Sequence, residues 1–365
     1  MKKTLCMLLC MLMIFSLVSC GGDKDAEVQE TVYTYEIGML TAADQYSIDD
    51  EDNVQAAWEG VRQFAEEQGK TYKYYETEGM PKTDNILKRL EDAVNEGVKV
   101  IVASGPEVSS AIYLAQELYP DLKFIYLDGV PVDENGKEKV GENCISFTFN
   151  ALQAGYLAGY SAVLEGYTRL GFIADEESDE AKAYGYGFLQ GCNEAADRYN
   201  YYASIKYSYG SGDEKAGTVE KKAKSWYDAG TSAIFTYGVT SYDAVYAAAK
   251  ESGKVIIASN VNKDYSKTVI TSAMKNYQDV VVEQLEKVYE GSFTGGTSKK
   301  LGLKSDGVGL DMKHSKFTRF NQELYKAIKK EIVNGDVKIA SVKSAKTPKE
   351  LIEKNSLYYI GLVEE

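Results

Sequence analysis

The sequence predicts an α/β protein with two doubly wound parallel-sheet lobes joined by hinge crossings. Short apolar runs that are typical of buried parallel strands alternate with segments of helical periodicity. This alternation restarts after residue 150. The chain has 365 residues, 44% of them hydrophobic, which is enough for two separate cores, and its 5 Pro and 32 Gly exclude a collagen-like or Pro-rich disordered chain.

The first segment is typical of a bacterial export signal. Two lysines precede an apolar run that extends to Leu17 and is shorter than the roughly 20 residues that cross a bilayer. It ends in Leu17-Val-Ser-Cys20, which resembles the lipobox at which bacterial lipoproteins are cleaved and lipidated. We therefore expect a signal peptide over 1–19 and a lipidated Cys20 on a flexible tether over 20–33, which would hold the body at the extracytoplasmic face of the cell membrane. An ordinary signal with an incidental cysteine is the alternative.

The elements of the first lobe follow one another from residue 35. The stretch 53–68 carries Val54 and Val61 at helical spacing, which predicts a helix with one buried face. The stretch 98–103 is apolar apart from Lys99, as in a parallel strand that is buried on both faces. The same patterns predict strands at 35–40, 71–75 and 124–127, and helices at 84–96 and through Leu114 and Leu118.

The second lobe repeats this order of elements. A helix over 151–164 leads into a strand at 170–173, and a long helix over 180–198 follows. Strands are then predicted at 205–209, 233–236 and 255–258, and helices at 214–228 and 242–251. Residues 275–365 continue as a helix, strands and a late helix that the pattern does not assign to one lobe.

The restart of the pattern sets the predicted domain boundaries. We expect an N-terminal lobe over 34–147 with part of 270–312, a C-terminal lobe over 148–269 with part of 300–365, and hinge crossings near 146–150 and 259–275. Ligands of doubly wound sheets bind outside the carboxyl ends of the strands. The cleft between two facing lobes is therefore the predicted ligand site.

The charge and the rare residue types exclude several function classes. The formal net charge of −14 disfavours nucleic acid as a partner, because phosphate backbones repel an acidic surface. A single histidine, His314, argues against histidine-based catalysis and against a multi-histidine metal site, so we expect no metal and no cofactor. Beside Cys20 the exported chain would keep only Cys144 and Cys192, and whether these two pair stays open.

Catalytic motifs are absent from the sequence. It contains no Gly-x-Ser-x-Gly, no Walker loop and no His-Glu-x-x-His. Gly185, Gly187 and Gly191 nearly match a dinucleotide-binding loop, but the last spacing is one residue too long and the run lies inside a predicted helix. We interpret these glycines as small residues that let a helix pack closely, and we do not expect an enzyme.

Five segments, in order along the chain, carry a family pattern. They are Ile48–Gly60, Gln153–Tyr160, Gly171–Ile173 with Gly187, Phe188 and Gly191, Ile257–Asn262 with Thr271–Lys275, and Leu301–Leu303 with Gly307 and Val308. Together with the lipobox, they resemble the basic membrane protein (BMP) lipoproteins, which include the PnrA-like nucleoside-binding proteins of ABC transporters. The resemblance implies a type I periplasmic-binding-protein fold and the delivery of nucleosides to a membrane permease.

The resemblance also implies which residues bind the ligand. Position by position, Asp50 and Asn53 match the loop carboxylate and its neighbouring amide, and Asp128 matches a second cleft carboxylate. Tyr237 and Gly238 match two strand-end residues. Asn260 matches the position at which the family holds ribose, and Lys275 matches a cleft lysine. The chemistry suits a nucleoside, because a carboxylate accepts both hydroxyls of a ribose diol, a lysine donates to an oxygen and an aromatic ring stacks on the base.

Four of these residues also have an ordinary structural explanation. Asp50 could cap the helix that follows it. Asp128 could be a turn residue at the end of a strand, and Lys275 a solvated lysine at the start of a helix. Tyr237 could simply pack in a chain that has 29 tyrosines.

The sequence departs from the family pattern at the predicted site. The family's Phe-Asn is Asn53-Val54 here, so the stacking ring is missing, and two aspartates are replaced by Asn260 and Asn262. An amide offers one acceptor oxygen where a carboxylate offers two, which would weaken a diol contact by ~1 kcal/mol, or about fivefold. The family's Ser-Phe-x-Asp is shortened to Ser211-Gly-Asp213, and Tyr46 and Tyr209 are candidate replacement rings.

These observations favour a monomeric, lipid-anchored solute-binding protein. It would close on a purine nucleoside by hinge motion and deliver the nucleoside to an ABC permease. One alternative keeps the fold and changes the ligand to another polar ring compound, such as a free base or a sugar-like signal. Another is a surface sensor whose partner is a receptor.

Overall fold

The structure is a computed structural model that describes residues 34–42, 52–77, 82–261 and 266–365, without the side chains of residues 52 and 53. The predicted signal, Cys20 and the predicted tether lie outside the described residues. No helix within the described residues is long and apolar enough to cross a membrane.

Strands and helices alternate along most of the described chain. The strands are β1 Ile37–Thr41, β2 Tyr72–Glu76, β3 Val100–Ser104, β4 Lys123–Leu127, β5 Cys144–Phe149, β6 Arg169–Ala174, β7 Ala203–Tyr209, β8 Ala233–Tyr237, β9 Val255–Ser259, β10 Val269–Lys275, β11 Thr297–Leu301, β12 Val308–Leu310 and β13 Ile360–Glu364. The helices are α1 Asp52–Gln68, α2 Thr83–Asn95, α3 Ser109–Leu118, α4 Ala151–Leu164, α5 Asp179–Arg198, α6 Ala216–Asp228, α7 Val239–Ser252, α8 Tyr277–Tyr289, α9 Gln322–Asn334 and α10 Pro348–Lys354.

The strands of the described residues form two sheets with the same winding. The first sheet has the order β11-β5-β4-β3-β1-β2, and the second has the order β12-β10-β9-β8-β6-β7-β13. All six strands of the first sheet are parallel, and so are six of the seven strands of the second, where β12 is added antiparallel to β10. Each sheet is therefore doubly wound, and the predicted α/β class is confirmed.

The strand sequences explain why the sheets lie at the centre. All five residues of β3, Val-Ile-Val-Ala-Ser, are buried, as expected for a strand with helices on both faces. At α5, the Ser178 hydroxyl accepts a hydrogen bond from the Ala181 N–H at 3.1 Å, and two acidic residues follow in the first turn. This cap fixes where α5 begins, beside the carboxyl end of β6.

One of the two predicted crossings between the sheets lies where the sequence predicted it, near 146–150, and the other does not. Residues 144–149 form β5, so the first crossing is confined to Asn150. The crossing predicted over 259–275 is wrong, because β9 and β10 are parallel neighbours in the second sheet. The apolar run of β10 is almost fully buried in that sheet, and the chain leaves it at Asn276, after which α8 packs on α1.

The crossing segments of the described chain are bonded to one another. The Asn150 N–H donates to the Leu301 carbonyl oxygen at 2.8 Å, and the Leu303 N–H donates to the Gln153 side-chain oxygen at 2.9 Å. The Asn276 N–H donates to the carbonyl oxygen of Gly307 at 3.0 Å. The links between the two sheets therefore lie side by side, as a hinge requires.

Helices α4 and α5 pack with their backbones almost in contact. The contact is made by glycines of both helices, namely Gly155, Gly159, Gly187 and Gly191. A Cβ atom on Gly159 would lie 2.1 Å from the Phe188 carbonyl oxygen, so no other residue fits there without moving a helix. The interpretation of Gly187 and Gly191 as packing residues is confirmed, and no dinucleotide loop is formed.

The two cysteines that the sequence left open are unpaired. The thiols of Cys144 and Cys192 are free and buried. Burial raises the pKa of the Cys144 thiol to about 12 and that of Cys192 well above its usual value. Both side chains therefore act as small apolar core residues.

Gly159→Ala should destabilise the protein, because the added methyl group forces α4 and α5 apart. Overpacking of this kind costs about 1–3 kcal/mol in the free energy of unfolding, which urea denaturation measures. Gly217→Ala in α6 is the matched control, because a Cβ atom there has no neighbour within 4 Å. The control should be neutral or stabilising by up to about 1 kcal/mol. Equal losses in the two variants would contradict the close-packing account.

Candidate functional site

A buried ammonium group lies where the two sheets meet. Lys275 ends β10 of the second sheet, and its side chain is 1% exposed. Its Nζ contacts a carboxylate oxygen of Asp128, directly after β4 of the first sheet, and another of Glu180, in the first turn of α5. The hydroxyl of Tyr277 also donates to Asp128 Oδ2, at 2.5 Å. One charged cluster therefore takes its members from both sheets.

The carboxylates keep this lysine charged. Burial by itself favours the neutral amine, but the charges of Glu180 and Asp128 outweigh it and hold the pKa of Lys275 well above its usual value. Burial raises the pKa of Glu180, and the nearby ammonium offsets part of that effect. The cluster thus offers N–H donors beside carboxylate acceptors, the groups that hydroxyls and ring nitrogens of a small polar ligand need.

Asp128 and Asn260 occupy equivalent positions in the two sheets. Asp128 follows β4 with φ 61°, and Asn260 follows β9 with φ 57°. Each donates its N–H to the next strand at 2.8 Å, Asp128 to Phe147 and Asn260 to Ala273. Aspartate and asparagine tolerate this left-handed backbone better than most residues, which explains their presence at both strand ends.

The side-chain oxygen of Asn260 is already used by the protein. It accepts the Lys275 N–H at 2.9 Å and the Tyr184 hydroxyl at 3.2 Å, and the residue is 5% exposed. A carbonyl oxygen has two lone pairs, so both acceptor positions are filled. A ribose hydroxyl could bond to this oxygen only by displacing one of them. In this structure Asn260 positions the backbone of the cluster lysine.

Tyr237 is joined to the same cluster. It ends β8, its ring centroid lies 5.2 Å from that of Tyr184, and its hydroxyl lies close enough to Glu180 to lower the pKa of that carboxyl. Burial raises the pKa of the Tyr237 hydroxyl, which therefore stays protonated at neutral pH. Tyr237 presents an aromatic ring and a hydroxyl at the carboxyl edge of the second sheet.

Gly238 has a structural reason to be glycine. Its φ is 101°, and a Cβ atom would lie 2.3 Å from the Asp175 carboxylate. That carboxylate accepts the Thr240 N–H at 3.2 Å and the Ser241 N–H at 2.6 Å, at the start of α7. Gly238 thus leaves room for this cap.

Several predicted residues cannot be placed. Asp50, Tyr46 and Asn262 lie outside the described residues, as does the side chain of Asn53. Tyr209, a candidate replacement ring, shares a 2.8 Å hydroxyl contact with Tyr207 on the same strand.

Sequence reasoning missed three members of the cluster. Glu180 follows the cap residue Ser178, where acids usually complement a helix dipole, so its position gave no functional signal. Tyr184 lies one turn further along α5, on the same face of the helix. Tyr277 follows the second crossing by one residue, and only the position of that crossing could have identified it.

A separate surface pocket lies at the outer edge of the first sheet. It has a volume of about 330 Å³ and is lined by residues of β2 and α2. Four of the charged side chains that line it pair with each other, Lys73 with Glu96 at 2.7 Å and Arg89 with Asp92 at 3.1 Å. No group of His, Cys, Asp and Glu side chains within the described ranges could hold a metal ion.

Sequence comparison identifies relatives over nearly the whole chain. The family model described as "ABC transporter substrate-binding protein PnrA-like" matches residues 37–343. A CD4+ T-cell-stimulating antigen of Listeria monocytogenes is 26% identical over 93% of this chain and 98% of that protein. The ABC transporter nucleoside-binding protein BmpA of Lactococcus lactis is 24% identical over 89% of this chain and 95% of that protein.

Solved structures show the same fold. An ABC transporter solute-binding protein from Aeropyrum pernix K1 superimposes with a TM-score of 0.68 at 16% identity, over 88% of this chain and 97% of that one. A second, from Conexibacter woesei, has a TM-score of 0.68 at 18% identity, over 85% of this chain and 99% of that one. These neighbours confirm the predicted type I periplasmic-binding-protein fold. With the family match over residues 37–343, the chain belongs to the PnrA-like family of ABC transporter substrate-binding proteins.

Proposed function

We propose that the protein is a lipid-anchored, extracytoplasmic solute receptor that captures a purine nucleoside between its two sheets and delivers it to an ABC permease. The observation that carries this proposal is the Lys275 cluster, in which donors and acceptors from both sheets meet. A ligand held there would touch both halves of the protein at once. Its binding would therefore favour the closed arrangement over the open one.

The cluster suits a neutral ring compound with hydroxyls. The carboxylates of Asp128 and Glu180 accept from ribose hydroxyls or base N–H groups, and the ammonium of Lys275 donates to a ring or sugar oxygen. Tyr237 offers a ring for stacking. Because the side-chain oxygen of Asn260 already accepts two hydrogen bonds, the ribose diol would bond to the carboxylates of Asp128 and Glu180. A free base, which needs no diol acceptor, is the second candidate on the same observation.

Transport by this protein needs no covalent step. Residues 302–307, which connect β11 of the first sheet to β12 of the second, lie beside the crossings at Asn150 and Asn276, and the three segments supply the hinge. A closed, loaded form differs in shape from the open form, and the permease can select it. The predicted lipid on Cys20 would keep the receptor near that permease.

Calorimetric titration of the full chain in detergent, after an unfold–refold step that strips bound ligand, tests the ligand class. Inosine, guanosine and adenosine should bind with micromolar or tighter dissociation constants, whereas ribose should not bind. Asp128→Asn should weaken nucleoside binding by about 10–150-fold, because a charged hydrogen bond contributes about 1.5–3 kcal/mol.

Glu177→Gln is the control for that variant. Glu177 pairs with Lys182 and is 55% exposed, so its loss should leave binding unchanged. Tight binding of a free base without binding of nucleosides would support the second candidate. If no compound of the panel binds, both the nucleoside and the free-base candidates are refuted.

Lys275→Met should open the ligand-free protein. Without the shared ammonium, the carboxylates of Asp128 and Glu180 repel each other at the junction of the sheets. Small-angle X-ray scattering should then give a larger radius of gyration than for the wild type. Lys287→Met, which removes a surface pair with Glu283 on α8, should not change it. An unchanged radius for Lys275→Met, with the circular dichroism spectrum intact, would show that the cluster does not hold the sheets together.

Cys20→Ser should release the protein from the membrane. The substitution removes the thiol to which the lipid is predicted to attach. Radiolabelled palmitate should be incorporated by the wild type and not by the variant, which should move to the soluble extracytoplasmic fraction. Equal labelling of both forms would exclude Cys20 as the anchor.

A further inference from the structure

Helix α7 begins at the point of the second sheet where ligands of doubly wound proteins usually bind. In the second sheet β7 is added on one side of β6 and β8 on the other, so the direction in which the sheet is wound changes between β6 and β8. Helix α7 follows β8 directly. The crevice at such a reversal lies outside the carboxyl ends of the strands and is the common ligand position in this architecture. A helix N-terminus there presents free N–H groups and a partial positive charge, which attract phosphate or carboxylate groups of ligands.

In this protein one of its own carboxylates fills that position. Asp175 directly follows β6, and its two oxygens accept the Thr240 and Ser241 N–H groups, the latter at 2.6 Å. The glycine at 238 leaves space for the carboxylate, because a Cβ atom would lie 2.3 Å from Asp175 Oδ2. The N–H groups that would hold an anionic ligand are therefore bonded within the chain.

This cap is continuous with the Lys275 cluster. Tyr237 precedes Gly238, and its ring lies 5.2 Å from that of Tyr184. The hydroxyl of Tyr184 and the backbone N–H of Lys275 both donate to the side-chain oxygen of Asn260. Among the described residues of this connected group, the carboxylates of Asp128, Glu180 and Asp175 accompany a single ammonium, that of Lys275. Asp128 and Glu180 already share this ammonium. An anionic ligand would meet no free positive charge in this group and would be repelled by the carboxylates.

We propose that Asp175 is a specificity-determining residue that excludes phosphorylated and other anionic compounds from the site. It acts in two ways, by occupying the N–H groups of α7 and by placing a negative charge where a phosphate would lie. This inference rests on the proposed ligand site. It adds that the ligand must be neutral or cationic in the part that approaches α7.

Inorganic phosphate is the direct probe. Calorimetric titration of the full wild-type chain with millimolar phosphate should give no binding. Asp175→Gly uncovers the Thr240 and Ser241 N–H groups, so this variant should bind phosphate at least about tenfold more tightly than the wild type. Asp175→Asn removes the charge and keeps one acceptor, so it should show a smaller gain and serves if the glycine variant does not fold.

Glu176→Gln is the matched control. It removes the same charge one residue further along, on an exposed side chain that does not cap α7. If this control gains phosphate binding to the same extent, the effect is one of general charge and the inference is overturned. It is also overturned if the folded Asp175 variants bind phosphate no better than the wild type, or if the wild type itself binds phosphate at this helix.

The same proteins separate this inference from the proposed function. Titration with inosine and with its 5′-monophosphate gives a preference ratio, which should fall at least about tenfold in Asp175→Gly, and by less in Asp175→Asn, if both proposals hold. An unchanged ratio overturns the inference and leaves nucleoside binding standing. Failure of the wild type to bind any nucleoside refutes the proposed function, whereas the phosphate titration still decides the role of Asp175.

Discussion

The ammonium group of Lys275 is the constraint on which the rest of the site depends. A charge that is almost completely buried is tolerated only beside compensating charges, and here these come from both sheets. Asp128 is fixed by the end of β4, and Glu180 by the capped start of α5. The relative position of the two sheets is thus coupled to one ion cluster. A ligand that competes for these contacts acts on the whole arrangement.

The repeated winding of the two sheets explains how the cluster is assembled. Equivalent strand ends hold Asp128 and Asn260, both in the left-handed backbone region. Equivalent turns hold Gly105 and Gly238, with φ 97° and 101°. The same backbone therefore serves two purposes. In the first sheet the carboxylate of Asp128 contacts Lys275 of the second sheet. In the second sheet the amide of Asn260 accepts the backbone N–H of Lys275 and so fixes that lysine.

Much of this architecture was predictable from the sequence, because apolar runs and helical periodicity report burial directly. The α4–α5 contact was also predictable, because the spacing of Gly187 and Gly191 is one residue too long for a dinucleotide-binding loop. Both glycines lie inside a predicted helix, where small residues allow close packing. The first crossing, at Asn150, was predictable, but the second, at Asn276, was not, because β10 pairs with β9 as an internal strand and nothing local marks its end. The hydrogen bonds that fill the side-chain oxygen of Asn260, and the roles of Glu180 and Asp175, depend on contacts between segments that are distant in sequence. A local sequence pattern does not contain such contacts.

The central claim is that the ligand lies between the sheets and contacts the Lys275 cluster. The most direct test is a crystal structure of the full chain purified from its own cells without refolding, so that the natural ligand is retained. The account predicts density for a small ring compound within hydrogen-bond distance of Lys275 or Glu180 from one side and of Asp128 from the other. A ligand that contacts residues of only one sheet, or that lies away from this cluster, would contradict it.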